Sequence, residues 1–301
     1  MINKDSDMKE QTYILTKQES FNLAHIFECG QCFRWEYDKE DKSYTGVIKN
    51  GVIKVRKEGD SIVFKGICDS NLKTVVDNYF DLETDYTKYK RILSKVDEYL
   101  KQSIKFGSGI RILKQDLWEC IISFIISANN NIPRIKKIID RLSVNYGEKI
   151  VWNDKVYYKF PTVEALSKAS VKDLRSLGLG FRDIRVYNTT KKILDNQVSL
   201  DKLKKIDDSE LIRNELLKLD GVGEKVADCI MLFALKRVDV FPIDVWVTKI
   251  MNRYYINSKD EKKINKKEIK SLADAKFKGL SGIAQQYLFY WEREKDKTHI
   301  A

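Results

Sequence analysis

A glycine-rich turn between two helical stretches constrains this chain more than any other feature. Residues 219–247 read LDGVGEKVADCIMLFALKRVDVFPIDVWV. Gly221 and Gly223 permit a sharp turn just before a helix, where consecutive backbone N–H groups point outward and bind anions well. We predict that helix over residues 224–235, with Lys225 in its first turn.

Lys225 shares a helix face with two apolar residues. The i, i+4, i+8 spacing places Lys225, Cys229 and Phe233 on one stripe, so an amine stands beside a small apolar wall. Asp244 follows 19 residues after Lys225 and begins the next helix, VWVTKIM. Taken singly, the lysine reads as a solvated side chain and the aspartate as an ordinary N-cap. Their combination indicates a nucleophilic amine near a carboxylate.

The charge balance favours a polyanionic partner. The chain carries a formal charge of +11, which fits a phosphate binder, although a lysine-rich chain can also be basic for solubility alone. With 301 residues and 43% hydrophobic content it can bury a full core, which excludes a tail or linker. The N-terminus is polar and no stretch approaches a membrane span, so we expect a cytoplasmic protein with no membrane partner.

Cysteine usage indicates neither disulfides nor a metal. The five cysteines are Cys29, Cys32, Cys68, Cys120 and Cys229. Their odd number and wide spread do not suggest a disulfide framework. A zinc site at the CxxC would need two more ligands, and the only histidines are His25 and His299. We therefore predict no metal and no cofactor, while a redox dithiol at the CxxC stays an alternative.

Hydrophobic periodicity divides the chain into an extended and a helical part. Residues 43–64 contain the runs YTGVI and VIKVR joined by Asn50-Gly51, a preferred pair for tight turns, which predicts an antiparallel sheet. A helical pattern spans residues 72–100, and FGSG at 106–109 is a plausible boundary. From Leu113 onward nearly everything reads as helix, and Asp116 with Glu119 makes a capping-box-like start for LWECIISFIIS. We predict an α+β fold with domains at 1–108 and 109–301.

The hairpin, lysine and aspartate together resemble the helix-hairpin-helix (HhH-GPD) DNA glycosylases, in the lysine-containing branch that excises oxidised purines. The resemblance implies a helix-hairpin-helix at about 207–247 that binds a DNA phosphate through Gly221, Gly223 and Val226. It also implies that Lys225 attacks C1′ of the damaged nucleotide and that Asp244 assists. Breaking the glycosidic bond builds positive charge on the sugar, which a carboxylate stabilises. Other members carry four clustered cysteines after the aspartate for an iron–sulfur cluster, and none follows here.

Three further segments, FECGQCFRW, SANNNIPR and LGLGFR, narrow the resemblance to the 8-oxoguanine DNA glycosylases. The first implies that the Gly30 carbonyl accepts from N7–H of the oxidised base, where guanine has an acceptor instead. The second implies that Asn129 fills the space left by the flipped base and that Arg134 contacts its orphaned partner. In the third, we expect an exposed turn with Phe181 as a wedge and Arg182 beside it at the tip. The arginines favour cytosine opposite the lesion.

The segment GIAQQYLFYWERE places Gln285 and Phe289 on one helix face. By resemblance, Gln285 bonds the Watson–Crick edge of the lesion base and Phe289 stacks on it, with Cys229 and Phe233 on the other side. Ordinary core packing is an equal alternative for Phe289. Trp246 stands where related enzymes often have histidine, and its role stays open.

The resemblance as a whole implies a TBP-like N-terminal antiparallel sheet lobe and a mainly helical lobe, acting as a monomer on double-stranded DNA that contains 8-oxoguanine. The implied activity is a bifunctional DNA N-glycosylase and abasic-site lyase that works through a lysine Schiff base and β-elimination in base excision repair. Two alternatives remain. A monofunctional glycosylase for alkylated bases would lack the lysine, and a non-catalytic helix-hairpin-helix DNA-binding protein would leave glycosidic bonds intact.

Overall fold

The early extended segments form a five-stranded antiparallel sheet in the order β1-β5-β4-β3-β2. The computed structural model describes residues 8–16, 18–259 and 264–300. The strands are β1 Glu10–Thr16, β2 Trp35–Asp38, β3 Ser43–Ile48, β4 Gly51–Glu58 and β5 Ser61–Cys68. One face of the sheet packs against α1 (Leu23–Glu28) and α2 (Leu72–Tyr79) around the aromatic residues Phe64 and Phe80.

The predicted hairpin between β3 and β4 is present, but its turn lies one residue earlier than expected. Ile48 pairs with Gly51, so Lys49 and Asn50 form the turn. Gly51 already belongs to β4, where a Cβ atom would collide with the backbone of Ile67 in β5. Crowding between strands therefore explains this glycine, and the assignment of Asn50-Gly51 as the turn pair is wrong.

Most of the remaining described chain is helical. The long helices include α5, which is buried on nearly every side as predicted and packs against α12. The helices are α3 Tyr86–Leu93, α4 Glu98–Phe106, α5 Leu117–Ser127, α6 Ile132–Tyr146, α7 Val163–Leu166, α8 Val171–Ser176, α9 Asp183–Leu194, α10 Leu200–Leu203, α11 Ser209–Leu216, α12 Glu224–Leu235, α13 Val245–Met251, α14 Lys266–Phe277 and α15 Ser281–Ile300. A 3-10 turn at Gly180–Arg182 leads into α9, and a π-helical turn at Asn252–Ile256 follows α13. None of these helices is long and apolar enough to cross a membrane.

A small second sheet interrupts the helices, so the prediction of nearly continuous helix after Leu113 is wrong there. Strands β6 (Lys149–Trp152) and β7 (Lys155–Tyr158) pair antiparallel. Their turn residues Asn153 and Asp154 both have positive φ, 50° and 57°, as two-residue hairpin turns favour. Trp152 packs against Val52 and Ile67 of the larger sheet, so this hairpin covers that sheet's second face.

Helices α3 and α4 pack with the helical part of the molecule. Tyr86 and Leu93 of α3 and Leu100 and Ile104 of α4 belong to the same core as α5 and α12. The predicted boundary at residue 108 groups these helices with the sheet, and that division stays a prediction. The predicted α+β class, with an N-terminal antiparallel sheet and a helical remainder, is confirmed.

Candidate active site

The glycine hairpin joins α11 to α12 and is held from behind by α9. Thr189 Oγ1 donates to the Asp220 carbonyl at 2.9 Å, and Lys192 Nζ lies 2.6 Å from the Asp220 carboxylate. Gly221 has a φ of 84°, and a Cβ atom there would lie 3.0 Å from Arg185 Cδ. The first glycine is therefore required both by its left-handed backbone and by its close contact with α9.

The hairpin presents free backbone donors at the start of α12. Gly223 is the N-cap and offers no side chain to cap the helix. Among the described residues, the N–H groups of Glu224, Lys225 and Val226 have no acceptor. Because unpaired N–H groups at a helix N-terminus attract negative charge, this end of α12 is suited to a phosphate.

Lys225 and Asp244, the predicted reactive pair, both influence the thiol of Cys229. Lys225 is half-buried, and its Nζ lies 5.6 Å from the centroid of the Phe124 ring. Burial raises the pKa of the Cys229 thiol to about 11, an effect that Lys225 opposes and Asp244 reinforces. Both charged groups are therefore close enough to act on the same sulfur, which lies in the apolar wall.

Asp244 is oriented by the backbone of the helix it begins. Its Oδ1 accepts from Val247 N at 2.8 Å, while its carbonyl accepts from Thr248 Oγ1 at 2.8 Å. The other carboxylate oxygen has no partner among the described residues. Trp246 lies at the surface two residues later, with Lys249 Nζ 5.7 Å from its ring.

Gly30 and Phe289, which the sequence assigns to base recognition, are neighbours in space. Gly30 has a φ of 87°, and a Cβ atom there would lie 3.3 Å from Phe289 Cε1 and 3.2 Å from Arg293 Nη1. The Arg293 guanidinium lies 5.4 Å from the Phe289 ring centroid and donates to the Glu28 carbonyl. Sequence reasoning missed Arg293, although its position four residues after Phe289 puts it on the same helix face.

The wall beside Lys225 is aromatic. Phe124 of α5 stacks on Phe233 at 5.5 Å with an interplanar angle of 16°, and its other neighbour is Phe33 at 5.6 Å. Phe233 is only 2% exposed, so it supports the wall from behind, and its predicted contact with a base stays a prediction. Phe124 was not predicted as a site residue because α5 is apolar all round and no face stands out.

Gln285 lies on α15, four residues before Phe289, and one of its polar atoms is already hydrogen-bonded. Its Oε1 accepts from Gln286 Nε2 at 2.9 Å, and the residue is 5% exposed. Its own amide nitrogen has no partner among the described residues. Gln285 can therefore donate to a ligand from its Nε2.

Arg182 is buried, and the expectation that it lies at an exposed tip is wrong. It is 2% exposed, and its Nη2 donates to the carbonyls of Ala128 and Asn129, both at 2.6 Å. Asn129 itself is exposed with a φ of 50°. These two hydrogen bonds satisfy carbonyls at the end of α5, so Arg182 holds the backbone of Asn129 in its left-handed conformation.

Phe181 is exposed, as predicted, and Arg134 is exposed too. Phe181 is 52% exposed, with the Arg182 and Arg185 guanidiniums 4.2 Å and 5.1 Å from its ring centroid. Arg134, in the first turn of α6, lies with its Nη2 3.4 Å from the Gly178 carbonyl. The structure therefore brings Phe181, Asn129 and Arg134 to one side of the molecule through Arg182 and the Gly178 turn.

Comparison with known proteins decides the family. Residues 13–121 match the N-terminal domain of 8-oxoguanine DNA glycosylase, and residues 122–275 match the HhH-GPD superfamily of base excision DNA repair proteins. This chain belongs to the HhH-GPD superfamily. The N-glycosylase/DNA lyase of Saccharomyces cerevisiae is 33% identical over 260 residues, covering 77% of this chain and 68% of the yeast protein.

Two solved structures of an HhH-GPD relative superpose closely. One is the Clostridium acetobutylicum 8-oxoguanine glycosylase/lyase with double-stranded DNA containing cytosine opposite 8-oxoguanine, 41% identical, with a TM-score of 0.90 over 96% of this chain and 98% of that one. The apo-form of the same enzyme is 42% identical, with a TM-score of 0.87 over 94% and 97%. Agreement over nearly the whole length covers both the sheet and the helical part.

The cysteines of this superfamily member are all free and buried. Burial raises the pKa of the Cys29 thiol to about 12 and that of Cys32 further, so neither forms a reactive thiolate readily. A redox dithiol at the CxxC is therefore disfavoured. Within the described ranges, no three His, Cys, Asp or Glu side chains are grouped as a metal site would require.

Proposed function

We propose that this protein is a bifunctional DNA glycosylase and abasic-site lyase that removes 8-oxoguanine from double-stranded DNA, preferentially opposite cytosine. One observation carries the proposal: Lys225 is half-buried over the Phe124 ring in the first turn of α12, next to backbone N–H groups that have no acceptor among the described residues. The yeast and Clostridium relatives are both named as glycosylases with lyase activity. We further propose a cytoplasmic monomer whose chemistry uses no metal or cofactor.

The hairpin would place the damaged strand. A backbone phosphate approaches the turn of Gly221 and Gly223 and accepts from the free N–H groups of Lys225 and Val226, and the α12 dipole favours its charge. The sugar attached to that strand then lies near Lys225, which is in the first turn of the same helix. Phosphate binding and nucleophile placement therefore depend on one rigid element.

The reaction proceeds by replacement at C1′. As the C1′–N9 bond breaks, its electrons leave with the base, which takes up a proton, and the Lys225 amine forms a bond to C1′. Asp244 stabilises the positive charge that builds on the sugar. Opening of the sugar ring moves a proton from nitrogen to O4′ and leaves an iminium. Loss of a proton from C2′ then expels the 3′ phosphate.

Base recognition would use Gly30, Phe289 and Gln285 for the lesion and a separate group of residues for its partner base. The Gly30 carbonyl accepts from N7–H, which only the oxidised base provides, and Phe289 stacks on the base next to it. Gln285 donates from its unoccupied amide nitrogen to the Watson–Crick edge. Arg134 and Asn129 contact the partner side, with Phe181 inserted where the lesion leaves the stack.

Borohydride trapping on an 8-oxoguanine duplex tests the proposal. Wild-type protein should give a covalent protein–DNA adduct, and Lys225→Gln should give none because glutamine has no amine to reduce onto the sugar. The matched control is Lys249→Gln, which removes an exposed lysine from α13, the helix that Asp244 begins. An adduct that survives in Lys225→Gln would overturn the assignment, and base release without any adduct would favour a monofunctional glycosylase.

A further inference from the structure

A basic trough runs along the exposed face of α6. Its volume is about 390 Å³, and three cations spaced i, i+3, i+7 face it: Arg134, Lys137 and Arg141. All three are exposed. The loop after α8 forms the opposite wall at Gly178, which also carries the turn leading to Phe181.

No acid of the described part of the chain pairs with these cations. Within the described residues, none of the three has a carboxylate oxygen within 4 Å. Two are instead held by backbone carbonyls, with Arg141 Nη1 3.2 Å from Leu177 O and Arg134 Nη2 3.4 Å from Gly178 O. Rows of unpaired, pre-positioned cations that face a concavity are suited to a ligand with repeated negative charges.

The neighbouring concavity on the other side of Lys137 differs in charge. It measures about 790 Å³, and its lining mixes basic side chains with the carboxylates Glu36, Asp38, Glu40 and Asp140. Mixed charge of this kind does not attract a polyanion. Of these two concavities, only the trough is lined by cations without carboxylates, and it runs from the Asn131 end of α6 toward Arg141.

We infer that the trough binds backbone phosphates of the DNA strand opposite the lesion, through Lys137 and Arg141. This inference rests on the proposed function, which places Asn129, Arg134 and Phe181 on the partner side. The trough begins at Arg134 and leads away from them. Seven residues of helix span ~10 Å, and one strand presents a phosphate every ~3.4 Å of duplex axis, so the row reaches about three phosphates.

The salt dependence of duplex binding tests this inference. Each phosphate neutralised contributes about −0.9 to the slope of log K against log salt, so Lys137→Gln with Arg141→Gln should reduce the slope by about 2. Between 50 and 200 mM salt this corresponds to about a tenfold smaller loss of affinity. The matched control is Lys57→Gln with Lys88→Gln, two exposed lysines that lie on β4 and α3. An unchanged slope, or an equal change in the control, would overturn the inference.

Uncharged methylphosphonate linkages identify the strand. Placed in the partner strand beside the opposite cytosine, they should reduce wild-type affinity but have little further effect on the double variant. The inference is wrong if the double variant becomes insensitive to methylphosphonates in the lesion strand and not to those in the partner strand. Arg141→Lys, which keeps the charge, should retain the wild-type slope and so exclude a purely structural effect on the Leu177 loop. If the double variant shows the expected reduction in slope but wild-type protein gives no borohydride adduct, the proposed chemistry is wrong and the trough still binds phosphate.

Discussion

At the scale of single residues, Gly30 shows how little space the proposed base site leaves. Its φ of 87° is costly for any residue with a side chain, and a Cβ atom would press on both Phe289 and Arg293. Gly30→Ala should therefore move the carbonyl that reads N7–H. We expect kcat/KM on 8-oxoguanine to fall about 5- to 150-fold, since the loss of one well-placed hydrogen bond costs ~1–3 kcal/mol.

Gly59 provides the matched control for Gly30. It too has a left-handed backbone, with φ at 58°, but a Cβ atom there would meet nothing within 4 Å. Because both glycines have a left-handed backbone, Gly59→Ala and Gly30→Ala should each lower the free energy of unfolding by ~1–2 kcal/mol through backbone strain. Only Gly30→Ala should also lower kcat/KM. If both variants lose activity equally, Gly30 acts only through stability and its predicted contact with the base is unsupported.

Arg182 is predicted to act as a positioning residue. Arg182→Met leaves the carbonyls of Ala128 and Asn129 without their donor, which should cost ~1–3 kcal/mol in stability and weaken the preference for cytosine over adenine opposite the lesion. Arg134→Ala should weaken the same preference at unchanged melting temperature, because Arg134 is exposed. Melting curves and cleavage ratios measured on both variants separate the two effects. Unchanged selectivity in Arg182→Met would refute the positioning role.

The sequence revealed the residues whose chemistry is unusual in their local setting. Lys225 and Asp244 stand out beside a glycine turn and at a helix start, and both influence the Cys229 thiol, while their catalytic roles stay predictions. Phe124 and Arg293 were missed because an aromatic in an apolar helix and an arginine near a chain end look ordinary. Their importance depends on contacts across many residues, to Phe233 in one case and to Gly30 in the other.

At the scale of elements, a buried ion pair fixes α11 against α12 and so the angle of the hairpin. Arg213 donates to Asp228 Oδ1 at 2.9 Å and 2.7 Å, and both residues are nearly fully buried. Asp228→Ala leaves the guanidinium with only Glu210, an exposed carboxylate, as an ion-pair partner, so we expect a stability loss of ~3 kcal/mol and weaker DNA binding. Glu215→Ala breaks a surface pair with Lys218 and should cost under ~1 kcal/mol. Chemical denaturation measures both, and equal losses would contradict the proposal.

Element bounds were predictable where local signals are strong. The helix at residues 224–235 was predicted with its observed ends, because a glycine turn precedes it and apolar spacing continues through it. The β6–β7 hairpin was missed inside a helical region, although KIVW and KVYY flank an Asn-Asp turn. The shift of the β3–β4 turn had no local signal, since Gly51 is required by a neighbouring strand.

At the scale of the whole molecule, contacts between distant segments join the sheet and the helical part. Lys236, which ends α12 with a φ of 57°, donates to Thr84 Oγ1 at 2.6 Å and pairs with Asp81. Arg111 is 1% exposed and donates to the Phe80 carbonyl at 3.0 Å. Such pairings join residues up to about 150 positions apart, so no local pattern predicts them.

Glu119 makes a further connection of this kind and gives the protein a pH-dependent stability. It lies in the first turn of α5, 3.7 Å from Arg34, whose other nitrogen donates to the Tyr158 carbonyl of β7. Burial raises the pKa of Glu119 to about 7, with nearby Asp116 adding to the rise and Arg34 opposing it. Lys49 pairs with Asp116 at 2.9 Å.

The sign of this effect follows from proton binding. Between the usual glutamate pKa of about 4.5 and about 7, the folded protein binds more protons at Glu119 than the unfolded chain, so stability falls as pH rises through that window and stays lower above it. Glu119→Gln removes this titration. The free energy of unfolding of the variant, relative to that of wild type, should therefore increase by ~2 kcal/mol between pH 5 and pH 8. Glu83→Gln, at an exposed site, should follow the wild-type curve. Urea denaturation measures the free energy of unfolding at each pH. If it depends on pH in the same way for wild type and Glu119→Gln, then Glu119 is ionised in the folded protein throughout this range, held so by Arg34.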